Sequence, residues 1–253
     1  MSANQYTAKE QKYIQYQHYQ IDAADHEDHS FNGICFDIRV KEDQPVKEVV
    51  ITAFGVRGEL GDVSIYVTKP EYRSYYGRNC DSSCWDRVFT GNLDESWAKY
   101  KRIELSEPII MEPGSSRGVY IHSREEHDQG IVYDNYRSKT QTGDTYVEIL
   151  PGCAQTGNIP FSTYAGWGWR SGRQFVGQVF YGVRHMLWAC ETHKYFPRHW
   201  RQQAESFIVM NETNSTGIYL PPEIVRYILN FCGFDHFPMP QGGLTVGRGG
   251  ENR

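Results

Sequence analysis

Three consecutive runs between residues 31 and 69 limit what this chain can become. Ile34, Phe36, Ile38 and Val40 alternate with Cys35, Asp37, Arg39 and Lys41. That period of two is the mark of a strand with one buried face. Residues 47–57 follow, dense in Val, Ile and Phe, and then Val63, Ile65 and Val67 alternate again. Gln44-Pro45 and Gly58-Glu59-Leu60-Gly61 stand at the joins, where turns use Pro and Gly. Three successive antiparallel strands are expected, each buried Val, Ile or Phe adding about 1.5–3 kcal/mol. In this register Ile38 points inward and Arg39 outward.

The rhythm continues. Residues 85–89, 100–105, 108–111, 118–123, 130–135, 146–150 and 175–183 read as further short strands separated by turn residues. About nine or ten strands with no helical period before residue 185 predict a mainly β chain, an antiparallel β-sandwich of the jelly-roll kind. The pattern then changes. After Pro197, residues Trp200, Ala204, Phe207 and Ile208 share one helical face. A second amphipathic helix over 221–232 carries Ile224, Val225, Ile228, Leu229 and Cys232. The expected organisation is a polar, mobile leader over 1–30, a sandwich over 31–185, a helical appendage over 186–237 and a disordered tail over 238–253. Within the leader, Tyr13, Tyr16 and Tyr19 recur at three-residue steps, which suits a short docked helix.

Composition removes several classes of function. A net charge of −5 gives no electrostatic capture of nucleic acid. No apolar run approaches the roughly 18–20 residues of a membrane span. The first residues lack the apolar stretch of a secretory signal, and the expectation is a cytoplasmic or nuclear chain with mostly free thiols. With 18 Tyr and 6 Trp against only 39% hydrophobic residues, the core is built from few, large side chains. Cys80 and Cys84 are the one close cysteine pair; they read as loop thiols, with a disulfide or a metal pair as the alternatives.

Two resemblances follow from these residues. Cys35-Phe-Asp-Ile38, the turn Pro113-Gly114 before Gly118-Val-Tyr-Ile121, and residues 173–181 resemble a galactose-binding-like jelly roll found in bacterial surface and algal proteins. That likeness implies a carbohydrate- or protein-binding sandwich without a catalytic constellation. Residues 196–237, with the turn Leu220-Pro221-Pro222, are similar to the helical ends of algal ankyrin-type proteins and to F-box and SOCS-box segments. That likeness implies an adaptor helix docking on a partner, in one version a ubiquitin ligase. The chain departs from both boxes: only one helix follows the turn, and Leu187 and Cys190 are one residue closer than the SOCS-box spacing.

Catalytic and cofactor signatures are missing from the sequence. It contains no phosphate loop, dinucleotide fingerprint or nucleophile elbow, and no cofactor or metal is assigned. Asp22, Asp25, His26, Glu27, Asp28 and His29 are metal-ligand types, but a solvated leader explains them as well. His122, Ser123, Glu125, Glu126, His127 and Asp128 read as a charged hairpin loop, and His185, His193 and His199 step too irregularly to share a site. Binding signals are clearer. Residues 161–173 hold Tyr164, Trp167, Trp169 and Arg170 among glycines, and Tyr72, Arg73 and Tyr75 occupy a second loop that could join them. Aromatic faces with Arg suit a sugar ring, a peptide or an acidic group; the alternative is that Trp167 and Trp169 cap the sandwich. Leu220, Pro221, Ile224, Ile228 and Leu229 are the candidates for a protein partner at the tail. A binding module is therefore expected. A jelly-roll carbohydrate hydrolase would instead draw its carboxylate pair from Glu104, Glu107, Glu112 and Glu148.

Overall fold

A computed structural model describes residues 16–136, 142–162, 168–213, 217 and 219–231. The chain divides into two compact units, Met1–Met186 and Leu187–Arg253.

The first unit is all β. Its strands are β1 (Tyr16–Asp22), β2 (His29–Phe31), β3 (Gly33–Val40), β4 (Val46–Gly58), β5 (Gly61–Thr68), β6 (Trp85–Leu93), β7 (Ser96–Met111), β8 (Ser116–Ser123), β9 (Ile131–Asn135), β10 (Thr142–Gly143), β11 (Val147–Gln155), β12 (Trp169–Phe175) and β13 (Gln178–His185). They form two antiparallel sheets. One runs β1-β13-β4-β7; the other runs β2-β9-β12-β11-β3-β8-β5-β6, with β10 on β11. This is the mainly β, antiparallel sandwich of jelly-roll kind that the alternation predicts. Between the sheets, Phe36 of β3 stacks on Phe175 of β12 at 4.4 Å, and Phe54 of β4 meets both rings edge-on at 6.3 and 6.5 Å. Ile34, Ile38, Ile51 and Ile65 complete a core with no exposed surface.

Four differences from the sequence reading have physical reasons. First, β3 is buried on both faces: every residue but Arg39 is covered. The second face of the larger sheet lies under residues from the 69–84 and 156–162 connections. Second, residues 16–22 form β1, not a docked helix. Tyr19 stacks on Tyr181 at 5.5 Å and Ile21 is buried, while Gln17, Gln20 and Asp22 of this edge strand are exposed and polar. Third, β7 is one strand of 16 residues where two were expected. Pro108 is tolerated because β7 is an edge strand, and the ladder with β4 shifts register between Ile51 and Ala53. Fourth, the end of the expected binding loop, residues 169–173, belongs to β12, paired with β11 and β9.

The second unit holds α1 (Arg198–Glu212) and α2 (Pro222–Phe231). Trp188, Phe196, Trp200, Ala204, Val225 and Leu229 form its core, with Phe207, Ile208 and Leu220 packed against it. Two asparagines act as backbone surrogates. Asn211 donates to the Leu220 carbonyl (2.9 Å) and accepts from the Leu220 amide (2.7 Å). Asn230 treats Trp188 in the same way, at 3.2 and 2.6 Å. Asn211 also opens the triplet Asn211-Glu212-Thr213, which matches the N-glycosylation pattern, but these bonds commit its amide to the fold. Among the described residues no helix is long and apolar enough to cross a membrane.

Candidate functional site

The two loops singled out from sequence do converge, on the outer face of the larger sheet. A ladder of side chains crosses that face: Cys153 on β11 opposes Cys35 on β3, Cys35 opposes Tyr120 on β8, and Tyr120 opposes Tyr66 on β5. Trp85, Tyr72, Tyr75, Phe161 and Trp169 pack against this row. Phe161 lies at its centre, 4.9 Å from Tyr66, 5.1 Å from Tyr120 and 5.8 Å from Trp85, and Trp169 lies 5.4 Å from Tyr120. Phe161 adopts a left-handed backbone (φ 62°), a strain that its packing against three rings offsets.

Buried polar groups pin both connections to the sheet. Asp37 of β3 accepts from the Ser74 hydroxyl (2.6 Å) and the Tyr75 amide (2.9 Å). Burial pushes its carboxyl above the ordinary range, and those two bonds only partly counter the shift. Gln155 accepts from the Tyr120 hydroxyl and donates to the Ile159 carbonyl (3.0 Å) and the Ser162 hydroxyl (3.1 Å). His122 bonds the Gly157 carbonyl at 2.9 Å, and burial lowers its pKa to about 4. The region is a second core more than an open face.

Of the expected ligand residues, Tyr72, Tyr75 and Trp169 meet here, each half-buried. Arg73 is exposed beside them. Arg170 is not on this platform: Trp169 pairs with Gln155 and Arg170 with Ala154, so successive side chains leave opposite faces of β12. Tyr164 and Trp167 lie outside the described residues. At the tail, Leu229 and Leu220 belong to the unit's own core, Ile228 is half-buried, and Ile224 and Pro221 are exposed.

An open cleft of about 430 Å³ lies elsewhere, lined by Asp25, His26, Asp28, Arg57, Trp97 and Tyr100 along with Ala98. Arg57 ends β4, and Trp97 and Tyr100 open β7. The hairpin after Arg57 turns through Gly58, Leu60 and Gly61, all at positive φ. A Cβ on Gly58 would stand 2.4 Å from the Gly130 carbonyl oxygen, so the close approach needs glycine. The 23–28 connection supplies the carboxylates. It is held by Asp134 of β9, which accepts from the His26 and Glu27 amides at 2.7 Å each.

Arg57 organises the wall. Its side chain is 10% exposed and reaches Asp25 at 2.5 and 3.1 Å, Asp28 at 2.6 Å and the Trp97 carbonyl at 3.3 Å. Burial opposes its charge, but the two carboxylates outweigh burial and raise its pKa. Tyr100 donates to Asp25 at 2.8 Å; burial and that bond push its pKa up to about 12. Trp97 leaves 39% of its surface exposed. Sequence reasoning missed this site because its parts are far apart, Arg57 standing 32 residues from Asp25 and 40 from Trp97. One signal was present: an arginine inside an apolar strand needs acidic partners if it is buried, and residues 22–28 are the densest acidic stretch nearby.

The remaining candidates do not assemble. Among the described residues no group of three or more His, Cys, Asp or Glu could hold a metal. Glu27 pairs with His29 at 3.1 Å and accepts from Asn135 at 2.8 Å. His193 bonds Trp188 and Glu205, at 3.0 Å each. Glu104 pairs with Arg102 on β7 (2.7 Å), and Glu148 with Arg39 on the other sheet. The described cysteines, Cys80 and Cys84 among them, are free thiols.

No protein-family model and no curated protein matches the chain. Among solved structures it is similar to the cysteine protease and lectin-like domains of Cwp84, a surface layer associated protein of Clostridium difficile, at 13% identity and TM-score 0.33, over 66% of this chain and 35% of that one. It is also similar to the infectious bursal disease virus VP2 subviral particle, at 12% identity and TM-score 0.21, over 86% of this chain and 54% of that one. The chain thus spans about a third to a half of those chains. Nothing in these likenesses supports an F-box or SOCS-box tail. At this similarity, function has to be argued from the chain's own side chains.

Proposed function

We propose that this chain is a non-catalytic binding module that takes a glycan in the Arg57 cleft, and that its helical unit offers a protein partner the exposed side of α2. The single observation that carries the reading is an exposed indole, Trp97, beside a fixed wall of Arg57, Asp25, Asp28 and Tyr100. A sugar ring has an apolar face for an aromatic side chain and a rim of hydroxyls for oriented donors and acceptors. The wall is already bonded within itself, so a ligand meets preset lone pairs and little ordering cost is added on binding. On α2, Ile224, Tyr227 and Phe231 are exposed, with the last two rings stacked at 6.2 Å. Hydrolysis fits less well. A glycosidase sets its two carboxyl groups in different environments across a cleft, whereas Asp25 and Asp28 share one guanidinium.

A glycan array followed by an NMR titration of the full chain with the best hit tests this. Amide shifts should concentrate at residues 25–28, 57 and 97–100. Shifts confined to residues 72–78 and 168–170 would move the ligand to the outer aromatic face. A peptide library that binds the cleft when no glycan does would make the ligand a protein.

A further inference from the structure

Three thiols gather on the outer face of the larger sheet that no proposed function uses. Cys35 and Cys153 are 118 residues apart in sequence yet stand directly opposite each other on adjacent antiparallel strands. Opposed residues in such a pair have Cα atoms about 4.5–5.5 Å apart, inside the range that a disulfide spans. Both are buried in one cluster of side chains. Cys80, on the connection that covers them, is exposed to solvent. Tyr72 and Tyr75 of that same connection pack against the row that holds Cys35 and Cys153. Cys84 is buried in the same cluster, with its thiol 3.5 Å from the Asp81 carboxylate.

We propose that Cys35 and Cys153 form a disulfide when the chain meets a hydroperoxide, and that Cys80 is the thiol through which oxidation enters. The hydroperoxide transfers one oxygen to the Cys80 sulfur, giving a sulfenic acid and leaving as the alcohol, or as water for hydrogen peroxide. The Cys153 sulfur attacks that sulfur, forming a Cys80–Cys153 bond and releasing water. The Cys35 sulfur then attacks Cys153, and Cys80 departs as a thiol. In sum, two thiols and one hydroperoxide give one disulfide, one alcohol and one water. Direct oxidation of the inner pair is slow, because neither thiol meets solvent and burial with the Cys153 neighbour pushes the Cys35 thiol well above its ordinary range. Burial and Cys153 also raise the Cys80 pKa, so the reaction quickens as pH rises above neutral.

The test is a time course with hydrogen peroxide on the full chain. Alkylation in denaturant and peptide mapping follow, with no mutation required. The expected product is a cross-linked peptide pair containing Cys35 and Cys153, with Cys80 recovered as a free thiol. Cys80→Ser, an exposed change that leaves the melting curve in place, should slow that cross-link by about tenfold or more. Recovery of Cys35 and Cys153 as separately alkylated residues after complete Cys80 oxidation would overturn the proposal. A Cys80–Cys84 bridge as the main product would also overturn it, as would an unchanged rate in Cys80→Ser.

Discussion

The outer aromatic face and the Arg57 cleft use the same materials to opposite ends. Each joins aromatic side chains to buried polar groups that fix a connection, Asp37 and Gln155 in one and Asp134 and Arg57 in the other. On the outer face the rings close over one another, and Phe161 fills the centre. At the cleft the charges bond to one another and leave Trp97 uncovered. Aromatic richness therefore does not identify a binding surface. What separates the two is whether the rings have already found partners within the chain.

That contrast can be broken at several points. The largest expected effect is at Tyr120, which touches Tyr66, Trp85, Phe161 and Trp169 and is fully buried. Tyr120→Ala should cost about 3–5 kcal/mol in denaturant unfolding; a loss under about 1 kcal/mol would mean the outer face is not a core.

Next is acid. The folded pKa of His122, about 4, lies below its ordinary 6.5, so above pH 6.5 its contribution to stability is whole. As pH falls from 6.5 towards 4 the unfolded chain takes the proton first, and stability drops by about 3 kcal/mol. His122→Gln should flatten that limb of the stability–pH curve; an unchanged slope would assign the loss to other groups.

At the cleft, Arg57→Met leaves two carboxylates without their cation. It should cost about 2–3 kcal/mol, with hydrogen exchange rising at residues 23–28, because the pair is partly exposed and water shares the burden. The smallest effect on stability belongs to Trp97→Ala, within about 1 kcal/mol by thermal unfolding.

The sandwich was legible in the sequence because two facing sheets force a period of two on their inner strands, and Ile34, Phe36 and Ile38 obey it. What covers the second face of β3 was not legible, since Cys35 and Asp37 are buried by connections whose course no local pattern records. β1 escaped notice for a related reason: an edge strand can be polar, and among its described side chains Tyr19 and Ile21 carry the packed face. Tyr72, Tyr75 and Trp169 read from the sequence as two loops that could join around a ligand, with a tryptophan cap on the sandwich as the alternative, and in the structure all three pack against the Tyr120 row. Arg39 does face outward as the alternation requires, yet it is tied to the largely buried Glu148 at 2.7 Å, so it is more than a solvated charge. The cleft needs three distant segments, and the sequence marked it only by an arginine in an apolar strand.

The most direct measurement is a paired one on two tryptophans. Trp169→Ala and Trp97→Ala are each followed by thermal unfolding and by titration with the glycan selected on the array. Trp169→Ala should lower the melting temperature by several degrees and leave the affinity of the folded fraction unchanged. Trp97→Ala should keep the melting temperature and weaken binding by about tenfold or more. The reverse pattern, with binding lost in Trp169→Ala and retained in Trp97→Ala, would contradict the account and return the ligand to the outer face.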